Sequence, residues 1–179
     1  DLVDKSPTAT WFQTPEAYAF YSSMKEELDP FFFAIKEDNI LSGLIIGYIL
    51  SEKNIIKKVF TRRAIIYGGP LLALHITENA LITLLHVMKK ALQDVIYIET
   101  RNFNDYSRWK SIFEQCGFIY QPHLNFHVDT SSLDIIQSNI GRHRWRYIRL
   151  SLKNGVKIIS NPTVNQVSEY YDILSELYR

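Results

Sequence analysis

The segment from Thr77 to Gln93 constrains the fold more than any other part of this sequence. Leu81, Leu84, Leu85, Met88 and Leu92 recur at helical spacing on one face, while His86, Lys89, Lys90 and Gln93 fall elsewhere. A helix of this kind owes its stability to burying that apolar face against another element. Strand-like segments flank it: Ala64 to Tyr67 before, closed sharply by Gly68-Gly69-Pro70, and Val95 to Thr100 after. Tyr106 to Cys116 then reads as a second helix, with Trp109, Ile112, Phe113 and Cys116 on one stripe and Gly117 as its stop. Phe118 to Val128 is predicted to return as a strand.

Upstream, Thr14-Pro15-Glu16-Ala17 opens a helix with a Thr N-cap, a proline in the first turn and an acid matching the helix dipole. That helix is expected to end before Asp29-Pro30. Phe31 to Lys36 and Ile40 to Ser51, joined by Glu37-Asp38-Asn39, predict a hairpin. Ile55 to Phe60 is a further predicted strand. Such alternation predicts an α/β (α+β) fold, a central mixed sheet flanked by helices.

At 179 residues, with 46% apolar and 22% charged content, the chain is neither a disordered tail nor a disulfide-stapled miniprotein. Its single cysteine, Cys116, excludes an intrachain disulfide and a Cys-rich zinc site. The longest apolar run, Leu44 to Leu50, falls far short of the ~20 residues a bilayer span needs. No secretory pattern opens the sequence, so the chain is expected to be soluble or at most peripheral to a membrane. It starts at Asp1, and Val164 to Arg179 reads as a helix with no Gly, Asn or Pro to stop it. The start without methionine suggests a processed product, and the C-terminal helix is expected to continue into more protein, a frayed terminal helix being the plainer alternative.

The total charge of +1 conceals a polar chain. Residues 1–134 carry 13 Lys and Arg against 16 Asp and Glu, net −3, whereas residues 135–179 carry 7 against 3, net +4. A domain boundary is expected near residues 130–140, giving domains 1–134 and 135–179. Within the basic part, Arg142, Arg146, Arg149 and Lys153 fall at i, i+4, i+7 and i+11. On a helix they form one cationic stripe, beside an apolar stripe of Trp145, Ile148 and Leu152. Arginine forks suit phosphate oxygens, and several aligned forks suit a diphosphate or a nucleic-acid backbone. A solvated helix face balanced by acids of the first domain is the plainer alternative. Asn154-Gly155 ends this helix, and Val156 to Ser160 is predicted to start a strand.

Other candidate chemistry is sparse. Gly68-Gly69-Pro70 reads either as a tight turn or as a place of close ligand approach, and it matches neither the dinucleotide-binding pattern nor the P-loop pattern. His123 and His127 sit on a predicted strand, about 13 Å apart along the backbone, which argues against a shared metal. His75 and His86 read as structural. No Ser/His/Asp, Cys/His or paired-carboxylate arrangement is identified by spacing, so the catalytic residues stay unassigned.

The element order resembles the acetyltransferase-like (GNAT) fold. Several local patterns within it resemble the Fem family of peptidyltransferases, the FemA, FemB and FemX type. These are the opening Trp11-Phe12-Gln13-Thr14-Pro15-Glu16, the turn Arg63-Ala64-Ile65-Ile66-Tyr67-Gly68-Gly69-Pro70, and Gly117-Phe118 leading to Leu124-Asn125-Phe126-His127-Val128-Asp129. Arg144-Trp145-Arg146-Tyr147-Ile148-Arg149-Leu150-Ser151-Leu152-Lys153-Asn154-Gly155-Val156 is similar to the Arg-x-x-Ile-Arg-x-Ala-x-x-x-Gly-Val signature opening that family's second domain. The pattern departs where Gly68 replaces an arginine and where Tyr18 replaces a tryptophan.

The resemblance implies two GNAT-like domains, the second present only as its first elements, with a precursor-binding cleft. It implies transfer of an amino acid from aminoacyl-tRNA to the stem peptide of a UDP- or lipid-linked muramyl precursor of peptidoglycan. It also implies no metal or redox cofactor and a cytoplasmic site of action, at the inner face of the membrane. By resemblance, Arg146 and Arg149 contact precursor phosphates, with Arg142, Lys153 and Tyr147 beside them, and Tyr67, Gly68 and Gly69 form a cleft loop. Two alternatives stand: an acyl-CoA N-acyltransferase, and a non-catalytic binding module. Pro70 counts against coenzyme A, because it removes an amide from the turn where that fold binds pyrophosphate.

Overall fold

A computed structural model of the chain describes residues 2–24, 27–52 and 60–178. Two compact units emerge, Asp1–Asn125 and Phe126–Arg179.

The first unit is built on a mixed sheet. A short helix, α1 (Leu2–Lys5), and a 3-10 turn, Trp11–Gln13, precede helix α2 (Pro15–Ser23). The Thr14 side chain caps α2 by accepting from the Ala17 amide, as the Thr-Pro-Glu opening predicts. Strands β1 (Leu28–Glu37) and β2 (Ile40–Leu50) form the expected antiparallel hairpin. Its turn places Asp38 at φ 48° and Asn39 at φ 65°, left-handed conformations that these two residue types tolerate and that match strand twist. β1 starts earlier than predicted and takes in Pro30. β1 lies at the edge of the sheet, the place where a strand tolerates proline.

β3 (Arg63–Gly68) pairs antiparallel with β2, and the two-residue β4 (Leu71–Leu72) also joins β2. Helix α3 (Glu78–Ala91) then carries the chain across, so that β5 (Tyr97–Asn102) runs parallel to β3. The spatial order is β1-β2-β3-β5. A 3-10 turn and α4 (Lys110–Gln115) follow, where one longer helix was expected.

Helices cover both faces of this sheet. On one face Leu81, Leu84, Leu85 and Met88 of α3 join Ile112, Phe113 and Cys116 against Ile45, Ile49, Ala64 and Ile66. Each fully buried aliphatic side chain there is worth roughly 1.5–3 kcal/mol. On the other face Ala17 and Tyr21 of α2 pack on Ile46.

The second unit contains α5 (Leu133–Asn139), α6 (Arg142–Lys153) and α7 (Val164–Leu177). None of these three helices has a buried residue. Gly155, at φ 91°, follows α6 as the predicted stop. No helix among the described residues is long and apolar enough to cross a membrane.

Three strand expectations need correction or fall outside the described residues. Phe118 to Val128 forms no strand: Leu124 and Phe126 are each 89% exposed, and no ladder pairs them with a neighbour. Val156 to Ser160 forms none either, because no strand among the described residues of its unit offers it an edge. In both cases apolar alternation was present without a partner to pair with. Of the predicted strand Ile55–Phe60, residues 55–59 lie outside the described ones, and Phe60 is not in a strand.

Candidate functional site

The sheet positions a candidate site at the C-terminal ends of the parallel pair β3 and β5. Gly68 and Gly69, at φ 79° and 76°, turn the chain out of β3 in a conformation that favours glycine. A Cβ on Gly68 would stand 2.3 Å from Nε2 of Gln13, and one on Gly69 would stand 2.2 Å from Oδ1 of Asn102. The space left by the glycines is thus filled by the protein's own side chains, and Gly68, Gly69 and Pro70 are buried.

Gln13, only 1% exposed, holds this turn from the other side of the chain. Its Nε2 donates to the Gly69 carbonyl at 3.1 Å, and its Oε1 accepts from the amide and the hydroxyl of Thr10, each at 2.7 Å. The Tyr106 hydroxyl donates to the Pro70 carbonyl at 2.5 Å, and burial pushes that phenol up to about 12.

Tyr67, half-buried at the end of β3, is the member of this loop that reaches an open surface. Its ring stacks on Phe12 at 5.3 Å and lies near Tyr48 at 6.4 Å and Phe103 at 6.5 Å. The Arg101 guanidinium lies 4.9 Å from its centre and donates through Nη1 to its hydroxyl. Strand register explains the meeting, since Tyr67 is opposite Arg101 and Ile65 is opposite Glu99 on one face. Arg101 also donates to both Glu99 oxygens, at 2.6 and 3.3 Å. The hydrogen bond to Glu99 raises the arginine's pKa above its ordinary value, so the cation is held charged. Burial raises Tyr48, and burial pushes Tyr21 up to about 12; both phenols are neutral donors at pH 7.

The predicted basic stripe exists as a helix face. Arg142, Arg146, Arg149 and Lys153 are exposed on α6, and none of their side chains meets an acid among the described residues. Tyr147 is 57% exposed, with its ring edge-to-face with His143 at 4.8 Å. The helix starts at Gly141, which supplies no side-chain cap, and has no acid in its first turn. Its leading arginines therefore oppose the positive end of its own dipole.

The N-terminus of α3 is in the opposite state. Thr77 caps it by accepting from the Ala80 amide, and the Thr77 hydroxyl donates to Glu37 at 2.6 Å. The Thr77 hydrogen bond chiefly holds Glu37 below the usual carboxylate range. A carboxylate thus already occupies that helix end.

Nearby, Ser42 Oγ lies 3.5 Å from Nε2 of His75. Ser42 is fully buried and its hydroxyl donates to the Ile40 carbonyl, so it presents no nucleophile to a substrate. His75 and His86 are exposed rather than part of the core. His123 and His127 lie on the irregular segment after α4. Cys116 is buried, and that burial raises its pKa.

Spacing arguments missed Glu99, Arg101, Tyr48, Phe103 and Asn102. The available signal was two opposite charges at i and i+2 on a strand lying inside the sheet region.

No family model matches the chain, and no curated protein matches it. Among solved structures, the chain is similar to one described as "Crystal structure of a probable acetyltransferase", at 15% identity over 66% of this chain and 80% of that one, with a TM-score of 0.41. It is also similar to a "Putative acetyltransferase from Agrobacterium tumefaciens str. C58", at 18% identity over 72% of this chain and 85% of that one, with a TM-score of 0.44.

Proposed function

We propose that this chain belongs to an acyltransferase of the Fem-like type, which moves an amino acid from aminoacyl-tRNA to the stem peptide of a muramyl precursor. The observation that carries the reading is the stripe of Arg142, Arg146, Arg149 and Lys153, exposed and without acidic partners among the described residues. Four aligned cations on one helix repel one another, and Arg142 in the uncapped first turn opposes the helix dipole. An anion with several phosphate oxygens relieves both terms, and arginine forks suit it through paired hydrogen bonds. Arg146 and Arg149 also stand at the signature positions of the resemblance, so they are assigned to the precursor phosphates, with Arg142, Lys153 and Tyr147 beside them.

Coenzyme A is the weaker donor on two grounds. Pro70 lacks the amide that a pyrophosphate turn needs, and the Glu37 carboxylate already sits at the start of α3, where a second anion would be repelled. In the proposed reaction an unprotonated amine of the stem peptide attacks the ester carbonyl. The tetrahedral intermediate expels the ribose oxygen, which leaves as a hydroxyl after taking the proton lost by the amine. The protein orients the amine and binds the phosphates, and the site of action is the cytoplasm at the inner face of the membrane.

A thermal-shift titration with UDP-linked muramyl pentapeptide, run beside acetyl-CoA, tests the reading. Binding to the native state raises the melting temperature by mass action. The expected result is a concentration-dependent rise with the muramyl ligand alone. A rise with acetyl-CoA alone would replace this reading with acyl-CoA transfer.

A further inference from the structure

The half of the sheet face around β3 and β5 is built differently from the half around β1 and β2. α2 packs on the β1–β2 half through Ala17, Tyr21 and Tyr18. Parallel strands are normally buried on both faces. On this face, however, the parallel strand β5 keeps Tyr97 46% exposed, the Glu99 side chain 37% exposed and that of Arg101 45% exposed.

Arg101 is held there with unusual completeness. Glu99 fixes its Nε and Nη2, the Tyr67 hydroxyl fixes its Nη1, and its Cζ lies 4.9 Å from the Tyr67 ring centre. Among the described residues these bonds use three of the five N–H donors of the guanidinium, leaving two on a group whose orientation is already set. Preorganising a fork in this way removes much of the entropy cost of capturing an anion. The rings of Phe12, Tyr48 and Phe103 surround Tyr67 and offer an apolar wall beside the fork.

Charge selects the kind of anion. Glu99 already balances the charge of Arg101, and Arg63, on the same face, stands four residues back along β3 from Tyr67. The Arg101–Glu99 pair is neutral overall, so a monoanion beside it meets less repulsion from the Glu99 carboxylate than a phosphate dianion does. Partly exposed aromatic walls suit a short apolar substituent next to that monoanion.

We infer that Arg101, held by Glu99 and Tyr67, forms a subsite for the carboxylate of a small organic acid, with the C-terminal carboxylate of a short peptide as its chemical class. The subsite stands wholly within the first unit and does not depend on the phosphate role of α6.

The probe is N-acetyl-alanyl-alanine, titrated into the isotopically labelled chain and followed by amide chemical shifts. Its C-terminal amide and inorganic phosphate serve as comparison ligands. The expected Kd is about 1 mM, the order suited to so small a ligand. The free acid should shift the amides of Tyr67 to Gly69 and Thr100 to Phe103, and the C-terminal amide should not. Arg101→Gln should weaken the free acid by about tenfold or more, because a charge-assisted pair is lost. Arg101→Lys, which keeps the charge without the fork, should recover only part of that loss. Equal shifts with the amide, preferential binding of phosphate at the same amides, or an Arg101→Gln variant that stays folded and binds as well would each overturn the assignment.

Discussion

In the first unit Leu81, Leu84, Leu85 and Met88 of α3 are each no more than 2% exposed, whereas in the second unit Ile148, Leu150 and Leu152 of α6 are 38%, 48% and 51% exposed. Both helices carry a clear amphipathic pattern. What separates them is a sheet: α3 lies across paired strands, and α6 lies in a unit with no strand among its described residues. A side chain in the first unit is therefore placed by many neighbours at once. A side chain on α6 is placed by helix period and little else. That difference separates the two candidate sites as well, a locked Arg101 with fixed partners and a stripe of long cations free to reach a ligand.

The comparison can be broken by substitution. Leu85→Ala should cost about 2–5 kcal/mol, read as a lower denaturant midpoint, because it opens a cavity under α3. Gln13→Ala should cost about 2–3 kcal/mol in the same assay. It leaves the Gly69 carbonyl without its buried donor and removes the side chain that fills the space beside Gly68. A wild-type midpoint for either variant would mean that the first unit is not the packed body described.

A smaller effect is expected at Glu37, whose pKa is lowered in the folded chain chiefly by its hydrogen bond from Thr77. A depressed carboxylate pKa gives stability that is present above the unfolded value and lost as pH falls through the folded one. Glu37→Gln should thus lower stability at neutral pH and flatten the acid limb of a pH-dependent unfolding series. An unchanged acid limb would remove Glu37 from the cap of α3. The smallest change belongs to Leu152→Ala, expected within about 0.5 kcal/mol of wild type because the side chain is half-exposed. A core-sized loss there would show that α6 is packed after all.

The longer helices were legible in the sequence because their periodicity depends on neighbours a few residues away, whereas the short α1 and α5 were not expected. Thr14-Pro15, the face of Thr77 to Gln93 and the stop at Asn154-Gly155 all follow from local spacing. The hairpin was legible for the same reason, with Asp38-Asn39 as its turn. Phe118 to Val128 and Val156 to Ser160 were not, since a strand exists only where another edge accepts its ladder.

The candidate site divides along the same line. The α6 stripe was readable at i, i+4, i+7 and i+11. The Glu99–Arg101–Tyr67 group needed the β3–β5 register, which joins residues far apart in the chain. Gln13 stood in the opening motif, but its grip on Gly69 spans 56 positions and could not be read from spacing.

The most direct test of the proposed function is the affinity of the chain for UDP-linked muramyl pentapeptide before and after Arg146→Ala together with Arg149→Ala. Loss of two charge-assisted phosphate contacts should weaken binding by about a hundredfold or more, with the melting temperature of the free chain unchanged. Equal affinity in the wild-type and doubly substituted chains would contradict the assignment of the α6 stripe to the precursor phosphates.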